Sequence, residues 1–406
     1  MPKYTPNTAL QPQNFKSIHP LRKNANWNNE MDSGWTDYYA NGTVAHTSTV
    51  GEYLKGTGAV KLQLAESNTG MRLAIGSTKD FSSSHFKIWM RASDWTEIND
   101  LNLRFMTASN LSSAYFSVQL KSYITYTGNH DDEWIEIVVP LSEFSKEQSA
   151  VDGDWASITH VLVQGKAESG KTPTVYFDDL QAITNPLSAP IVSIVFDDGH
   201  DSCATLARQV LDAYGYNATL FLAHDLVDEA NYLTQNEVDD LSLSGWEIAA
   251  HGDNNLVTAY SDNASREREI RRIKRYHMKR GYRGSNLFAY PNGAWNENLT
   301  GLIKKYFEYG RSIIAINQPV GYMNEYSIHS HAVSASDSTA SLTGLIDDAV
   351  TFNEWCVLLF HRIKSSGATG TEYNQADLQT VVDYCNTNSV EVLPFGDALS
   401  KISGLS

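Results

Sequence analysis

The stretch IVSIVFDDGHDS, residues 191–202, decides how the second half of the chain folds. Residues 191–196 form a nearly unbroken apolar run, as expected of a strand covered on both faces. Two aspartates and a glycine follow. Neighbouring side chains of a strand point to opposite faces, so Asp197 and Asp198 can share one site only where the strand ends and the chain turns. Gly199 supplies that turn, because it adopts backbone angles that other residues avoid. The pair then stands at the C-terminal mouth of a strand in a parallel sheet, where α/β folds keep their sites. A near twin, YFDDL (176–180), lacks the glycine and runs on into QAI. We read Asp178 and Asp179 as a solvated or turn-bonding pair in a closing strand, with a structural Ca2+ as the other role considered.

Outward from this stretch, strands and helices alternate. ATLARQVLDAYG (204–215) reads as a helix stopped by Gly215, and ATLFLA (218–223) as a strand. TQNEVDDLSLSG (234–245) opens with the Thr234/Glu237 capping-box spacing. WEIAA (246–250), LFAY (287–290), SIIAI (312–316), WCVLLF (355–360) and VEVLP (390–394) read as further strands, and 265–281 as a charged helix. This alternation implies a parallel sheet, either a barrel or an open doubly wound sheet. The first half differs. AVKLQL (59–64), MRLAI (71–75), HFKIWM (85–90), LNLRFM (101–106), YFSVQL (115–120) and WIEIVV (134–139) show period-2 or short apolar runs broken by polar clusters, which suggests an antiparallel sandwich. TNPLSAP (184–190) carries two prolines and no pattern. The expected organisation is a polar leader or attachment segment at 1–30, a sandwich at 31–184, a linker at 185–190 and an α/β domain at 191–406.

A chain of 406 residues is long enough for two cores. Its formal charge of −16 argues against a nucleic-acid partner, which needs Lys and Arg to neutralise phosphates. Cys203, Cys356 and Cys385 are too few and odd in number for a disulfide framework, and we read them as buried thiols. No stretch has the ~18 apolar residues of a membrane span, and the N-terminus shows no apolar core of a signal peptide.

Three more strand ends carry chemistry-bearing residues. HGDNN (251–255) places His251 at one, with Asn255 four residues on. YPNG (290–293) adds a tight turn, and His361 follows LLF (358–360). Asp, His and an amide oxygen are ligands that one divalent metal can share. Taken singly, a histidine after a strand is usually a surface group; four such ends together favour a site.

At these residues the C-terminal half, about 190–400, resembles the polysaccharide deacetylase family, the carbohydrate esterases with a NodB-like domain. The resemblance implies a distorted (β/α) barrel of NodB-like type behind an all-β, jelly-roll-like sandwich. VFDDG (195–199) fits the first motif, which implies Asp197 as general base and Asp198 as metal ligand. HGDNN fits the second in part: His251 stands at the first metal histidine and Asn255 at the place of the second. AYPNG (289–293) has Ala289 where the family has arginine, and it implies the Asn292 N–H as oxyanion donor. LLFHR (358–362) implies His361 as general acid. Tyr290, Pro291 and Leu359 are the implied substrate-binding residues. The motif that tunes the acid is absent, and Arg311 is the candidate for the missing positive charge.

The resemblance implies a metal-dependent deacetylase acting on an acetylated, extracellular polysaccharide. Zn2+ is the default metal, with Co2+ or Ni2+ as alternatives. Three outcomes are open at Asn255: weaker ligation by Asp198, His251 and Asn255, completion of the shell by Asp253, or a metal-free, inactive site. His277 is assigned to a helix face. The competing reading is a non-catalytic glycan-binding or attachment protein that keeps the fold. A glycosidase ranks last, since adjacent aspartates do not straddle a glycosidic bond. The front half resembles carbohydrate-binding sandwiches on DEWIEIVVPLSEF (132–144) and TVYFDDLQAI (174–183). Trp35, Trp95 and Trp155 are its candidate sugar-stacking faces, with Trp89 and Trp134 assigned to the core. Action outside the cell without a visible signal suggests a virion-borne protein, such as a phage tail spike, with virion or oligomer partners.

Overall fold

The computed structural model describes residues 25–39, 41–124 and 130–404. Among them the first half holds β1 (Ala25–Asn29), β2 (Thr36–Asp37), β3 (Thr43–Thr47), β4 (Ala59–Gln63), β5 (Thr69–Lys79) and β6 (Ser84–Ala92). These are followed by β7 (Ile98–Met106), β8 (Tyr115–Gln119), β9 (Ile135–Val139), β10 (Ser145–Glu147), β11 (Ile158–Ala167) and β12 (Thr174–Thr184). One sheet runs β3-β4-β12-β6-β9, with β1 also on β12; the other runs β10-β8-β7-β11-β5-β2. Their pairings are antiparallel. Alternation along β6 sends Phe86, Ile88 and Met90 into the core between the sheets, where all three are fully buried. Phe116 stacks on Trp155 with ring centroids 3.9 Å apart, and Phe86 on Phe105 at 4.0 Å.

Several expectations need correction here. Residues 25–29 of the expected leader form β1, bonded to β12 from Ala25↔Ile183 to Asn29↔Leu180. The rest of that leader, residues 1–24, lies outside the described residues. The tryptophans invert. Trp35, Trp95 and Trp155 are buried, whereas Trp89 and Trp134 are the partly exposed ones. In β6 the odd positions face away from the sandwich core, so Trp89 belongs to the outer face along with His85 and Lys87.

The Asp178-Asp179 pair is not solvated. Both residues are almost fully buried. Asp178 Oδ2 accepts from the N–H groups of Leu54 and Lys55, which keeps the turn-bonding part of the reading. Asp179 takes the ammonium groups of Lys87, at 2.6 Å, and of Lys55. Two ammonium groups already neutralise Asp179, so a Ca2+ ion, which wants six or more oxygen ligands, does not fit there.

The second half contains β13 (Ile191–Asp198), β14 (Thr219–Leu222), β15 (Glu247–His251), β16 (Gly284–Ala289), β17 (Tyr309–Arg311), β18 (His331–Ala332) and β19 (Trp355–Phe360). They form one parallel sheet in the order β17-β16-β15-β14-β13-β19-β18, and Glu391–Val392 adds to the start of β13. SIIAI (312–316) is not a strand. The strand ends at Arg311, and the chain beyond it bonds to a returning segment: Ser312 N–H to Ile328 O, and Ser330 N–H to Ile314 O. That segment continues into β18 beside β19, so 328–332 touches both edges of the sheet.

Period 2 sorts β13 between two cores. Ile191 and Val195 pack with Phe221, Ala249, Leu287, Ala289 and Leu359 on the inner face. Val192, Ile194 and Phe196 pack against the helices outside. The helix expected at 265–281 is observed at Asn263–Arg280, with His277 buried on its inward face and Gly281 as its left-handed cap.

The two halves are joined by polar contacts. The expected linker is pinned, since Asn185 donates to the carbonyls of Phe352 and Asn353, both at 2.8 Å. Tyr322 donates to Glu136 at 2.7 Å, and Lys87 lies over the Tyr322 ring. Ser142 Oγ donates to Glu354 at 2.7 Å.

Glu354 is fully buried, and burial pushes its carboxyl up to about 8. A carboxyl whose folded value lies above its unfolded one stabilises the fold fully below the unfolded value, and that contribution is lost as pH rises through the folded value. Between about pH 5 and pH 8.5 the melting temperature should therefore fall, by about 4 °C. Glu354→Gln should remove most of that slope. Thermal melts across this range check it, and an unchanged slope in the variant would show that Glu354 is not its source.

Candidate functional site

Strand ends build the site. Asp197 is the next inner-face residue of β13 after Val195, His251 follows Ala249 on β15, and Arg311 follows Tyr309 on β17. The register carries them into one layer, with His251 beside Ala289 and Ala289 beside Arg311. Asp198 follows at the strand end, and both carboxylates stand within 4 Å of the His251 ring. Asp198 has φ +69° and Gly199 has φ +101°, so the chain turns there as expected. A Cβ on Gly199 would lie 2.6 Å from Leu222 Cδ1.

The centre is a buried charge pair. Arg311 Nη2 donates to both oxygens of Asp197, at 2.8 and 2.6 Å, and neither residue is more than 3% exposed. Arg311 Nη1 reaches Ser330 Oγ at 3.3 Å. His251 Nε2 stands 3.4 Å from Asp197 Oδ2. Burial acts to raise the Asp197 carboxyl, but the guanidinium and the neighbouring histidines outweigh it and hold it well below the usual carboxylate range. Burial acts to lower His251, and Asp197 reverses this, leaving it raised.

These residues line a cavity of about 540 Å³ together with Asp198, Tyr290, Pro291, Asn292, Leu359 and His361. Tyr290 and Pro291 are almost fully buried, so they shape the wall without offering a free face. Asn292 has φ +55° within the short turn Pro291–Gly293, and its N–H lies in a first turn, where no intrahelical acceptor exists. Gly293 allows that turn to close, since a Cβ there would lie 2.2 Å from Ile313 Cγ1. His361 follows β19, and its Nδ1 is buried with no hydrogen-bond partner among the described residues.

Two expectations meet a different geometry. Asn255 lines the cavity, but its Oδ1 accepts from the N–H groups of Val257, at 3.0 Å, and Thr258, at 3.3 Å. Both lone pairs are committed to its own turn, so as placed it is a cap and not a ligand. Asp253 turns towards His224, at 2.9 Å, and accepts from the Asp225 N–H at 3.0 Å. Among the described residues, His224, Asp225 and Asp253 form the one group of three His, Cys, Asp or Glu side chains close enough to share an ion. The guanidinium of Arg272 already bonds all three.

A divalent ion can still be tested against the site. His251 Nδ1 lies 2.7 Å from its neighbour's carbonyl, Gly252 O. Donation there leaves the Nε2 lone pair outward, the arrangement of metal-binding histidines. Nε2 faces the Asp197 carboxylate at 3.4 Å, a place where either a proton or a cation can sit. Asp198 adds a partly exposed carboxylate, with Oδ1 3.9 Å from His251 Nδ1. His251 and Asp198 therefore fit a cation, one side-chain donor short of the three usual in catalytic zinc sites.

Sequence reasoning placed Arg311 near the acid but missed its partner, Asp197. It also missed His200, whose Nε2 is 3.8 Å from Asp198 and whose ring stacks on Tyr232. Position was the available signal, because His200 follows the acidic pair by two residues. Thr371, Ile313 and Ala332 also line the cavity, from segments with no motif. All three cysteines are buried free thiols.

Part of the second half is similar to known proteins. Residues 184–307 match the family model described as polysaccharide deacetylase. A putative polysaccharide deacetylase of Bacillus subtilis (strain 168), YxkH, is 26% identical over 110 residues, 27% of this chain. The match spans 39% of that relative's length. Among solved structures, the Streptococcus pyogenes deacetylase PplD in complex with acetate is 19% identical, with a TM-score of 0.34 over 38% of this chain and 69% of that one. The Xyl-CE4 domain of a multidomain xylanase from the hindgut metagenome of Trinervitermes trinervoides is 15% identical, with a TM-score of 0.36 over 53% and 92%. A family 11 carbohydrate-binding module from Clostridium thermocellum is 10% identical, with a TM-score of 0.29 over 38% and 93%.

Removing one member of the buried pair strands the other. Arg311→Met should cost about 3–5 kcal/mol of stability. The double variant Arg311→Met/Asp197→Asn should cost clearly less than the sum of the two single changes. Denaturant titration of all four proteins checks this, and strict additivity would show that the pair is not coupled.

Proposed function

We propose, from the premise that residues 184–307 are a polysaccharide deacetylase domain, that this chain hydrolyses acetyl groups from a glycan. One observation carries the reading: Asp197, Asp198, His251, the Asn292 turn and His361 converge on a single cavity at the C-terminal ends of parallel strands. Hydrolysis adds water across the acyl bond, with hydroxide to the carbonyl carbon and a proton to the leaving nitrogen or oxygen. Asp197, kept ionised by Arg311, accepts the proton from water. The Asn292 N–H is the donor for the oxyanion, worth about 3 kcal/mol in comparable sites. His361 gives the proton to the leaving atom, a role that contributes typically 10²–10⁴-fold. A divalent ion held by Asp198 and His251, Zn2+ by default with Co2+ or Ni2+ as substitutes, would supply Lewis acidity at the acetyl carbonyl. The substrate is an extracellular or cell-surface polysaccharide, and we place the action there, on a secreted or virion-borne protein.

The second reading is a glycan-binding protein without turnover. The orientation of Asn255 favours it, because the amide oxygen at the expected ligand position serves its own turn.

Acetate release from N- and O-acetylated oligosaccharides decides between the two. The protein is expected to release acetate, to lose activity after chelation and to regain it with Zn2+ or Co2+. Asp197→Asn and His361→Ala should each lower kcat/KM by at least about 100-fold. Glycan binding with no acetate released under any metal would establish the second reading.

A further inference from the structure

A second cavity, of about 310 Å³, lies between the two halves. Its sandwich wall is Trp89 on the outer face of β6, Glu133 and Trp134 leading into β9, and Glu136 within β9. Its other wall is Trp295, Lys304 and the helix Glu297–Ile303. We propose that this groove is a glycan-binding subsite for a chain without acidic groups, and that it extends the catalytic cavity. This proposal rests on the deacetylase reading for its role, but not for its ligand.

Four features point to a sugar chain. Trp89 and Trp134 are partly exposed aromatic faces, the surfaces on which pyranose rings pack. Trp295 is only 8% exposed, and its indole Nε1, like that of Trp89, is buried with no hydrogen-bond partner among the described residues. A buried N–H of this kind calls for an acceptor, and a sugar hydroxyl is one. Glu133, Glu136, Asn324 and Lys304 ring the groove with groups that bond hydroxyls. The volume is at the lower end of the range for ligand sites.

Charge narrows the class. Glu133, Glu136 and Glu297 outnumber Lys304, and burial pushes His130 down to about 4, so that it adds no positive charge at neutral pH. An acidic polysaccharide is disfavoured, whereas a neutral chain or one bearing free amino groups is accepted. The groove is also tied to the catalytic cavity. Asn292, in the Pro291–Gly293 turn, lines one and Trp295, just beyond that turn, lines the other, three residues apart. A chain crossing that turn would occupy both.

The test uses the full chain in the inactive His361→Ala background, which leaves the buried Asp197–Arg311 pair intact, so that binding is read without turnover. The probes are the hexamers of β-1,4-linked N-acetylglucosamine, glucosamine and xylose, with a hexamer of galacturonic acid as the acidic arm, each titrated by calorimetry. Binding of at least one of the first three is expected, with the acidic hexamer at least tenfold weaker. Trp89→Ala should weaken binding about tenfold. Gly301→Trp fills the groove from solvent, and a Cβ at that position meets nothing within 4 Å, so this variant should fold normally and weaken binding at least as much. Binding that is unchanged in Gly301→Trp, absent for all three probes, or strongest for the acidic hexamer would overturn the proposal. Acetate release by the wild-type chain is measured separately, so a failure of catalysis and a failure of the groove are distinguishable.

Discussion

The second half of the molecule is organised around one buried ion pair. Arg311 and Asp197 come from different strands, and both project inward at the sheet's C-terminal edge. Neither charge could be tolerated there alone, because desolvating an unpaired ion costs several kcal/mol. The pair therefore fixes how the end of β17 sits against the end of β13, with β14, β15 and β16 held between them. It also sets the chemistry. A carboxylate clamped by a guanidinium stays ionised although it is buried, and its charge in turn raises His251 beside it.

The resemblance to polysaccharide deacetylases implies an arginine at position 289, where this chain has alanine. The observed guanidinium comes from the neighbouring strand at the same level of the sheet, since Ala289 and Arg311 are register partners. The positive charge on Asp197 thus comes from β17, one strand over from Ala289. The sequence could not show this, because a motif is read along one strand whereas the compensation runs across two.

Other parts of the molecule were legible to differing degrees. The apolar run of β13, the Gly199 turn and the strand-end histidines could be read directly, because burial on two faces and a change of chain direction leave local marks. Asn255 was misread because spacing says where a side chain stands but not which of its lone pairs are already taken. The tryptophans were misassigned for a related reason. Period 2 separates the two faces of β6 but does not say which face meets the other sheet and which meets another domain. The same gap hid the burial of Asp179, whose partners Lys55 and Lys87 are distant in sequence.

The strands β12 and β13 are consecutive, and the six residues between them are fastened to the C-terminal half through Asn185. The first described strand, β1, is zipped to β12. Paired and fastened backbone therefore links β1, through the end of β12, to the strand that ends at the acidic pair. The strand-end cavity is thus tied to the front sandwich through paired backbone, and a load borne on β1 itself would turn the cavity with it.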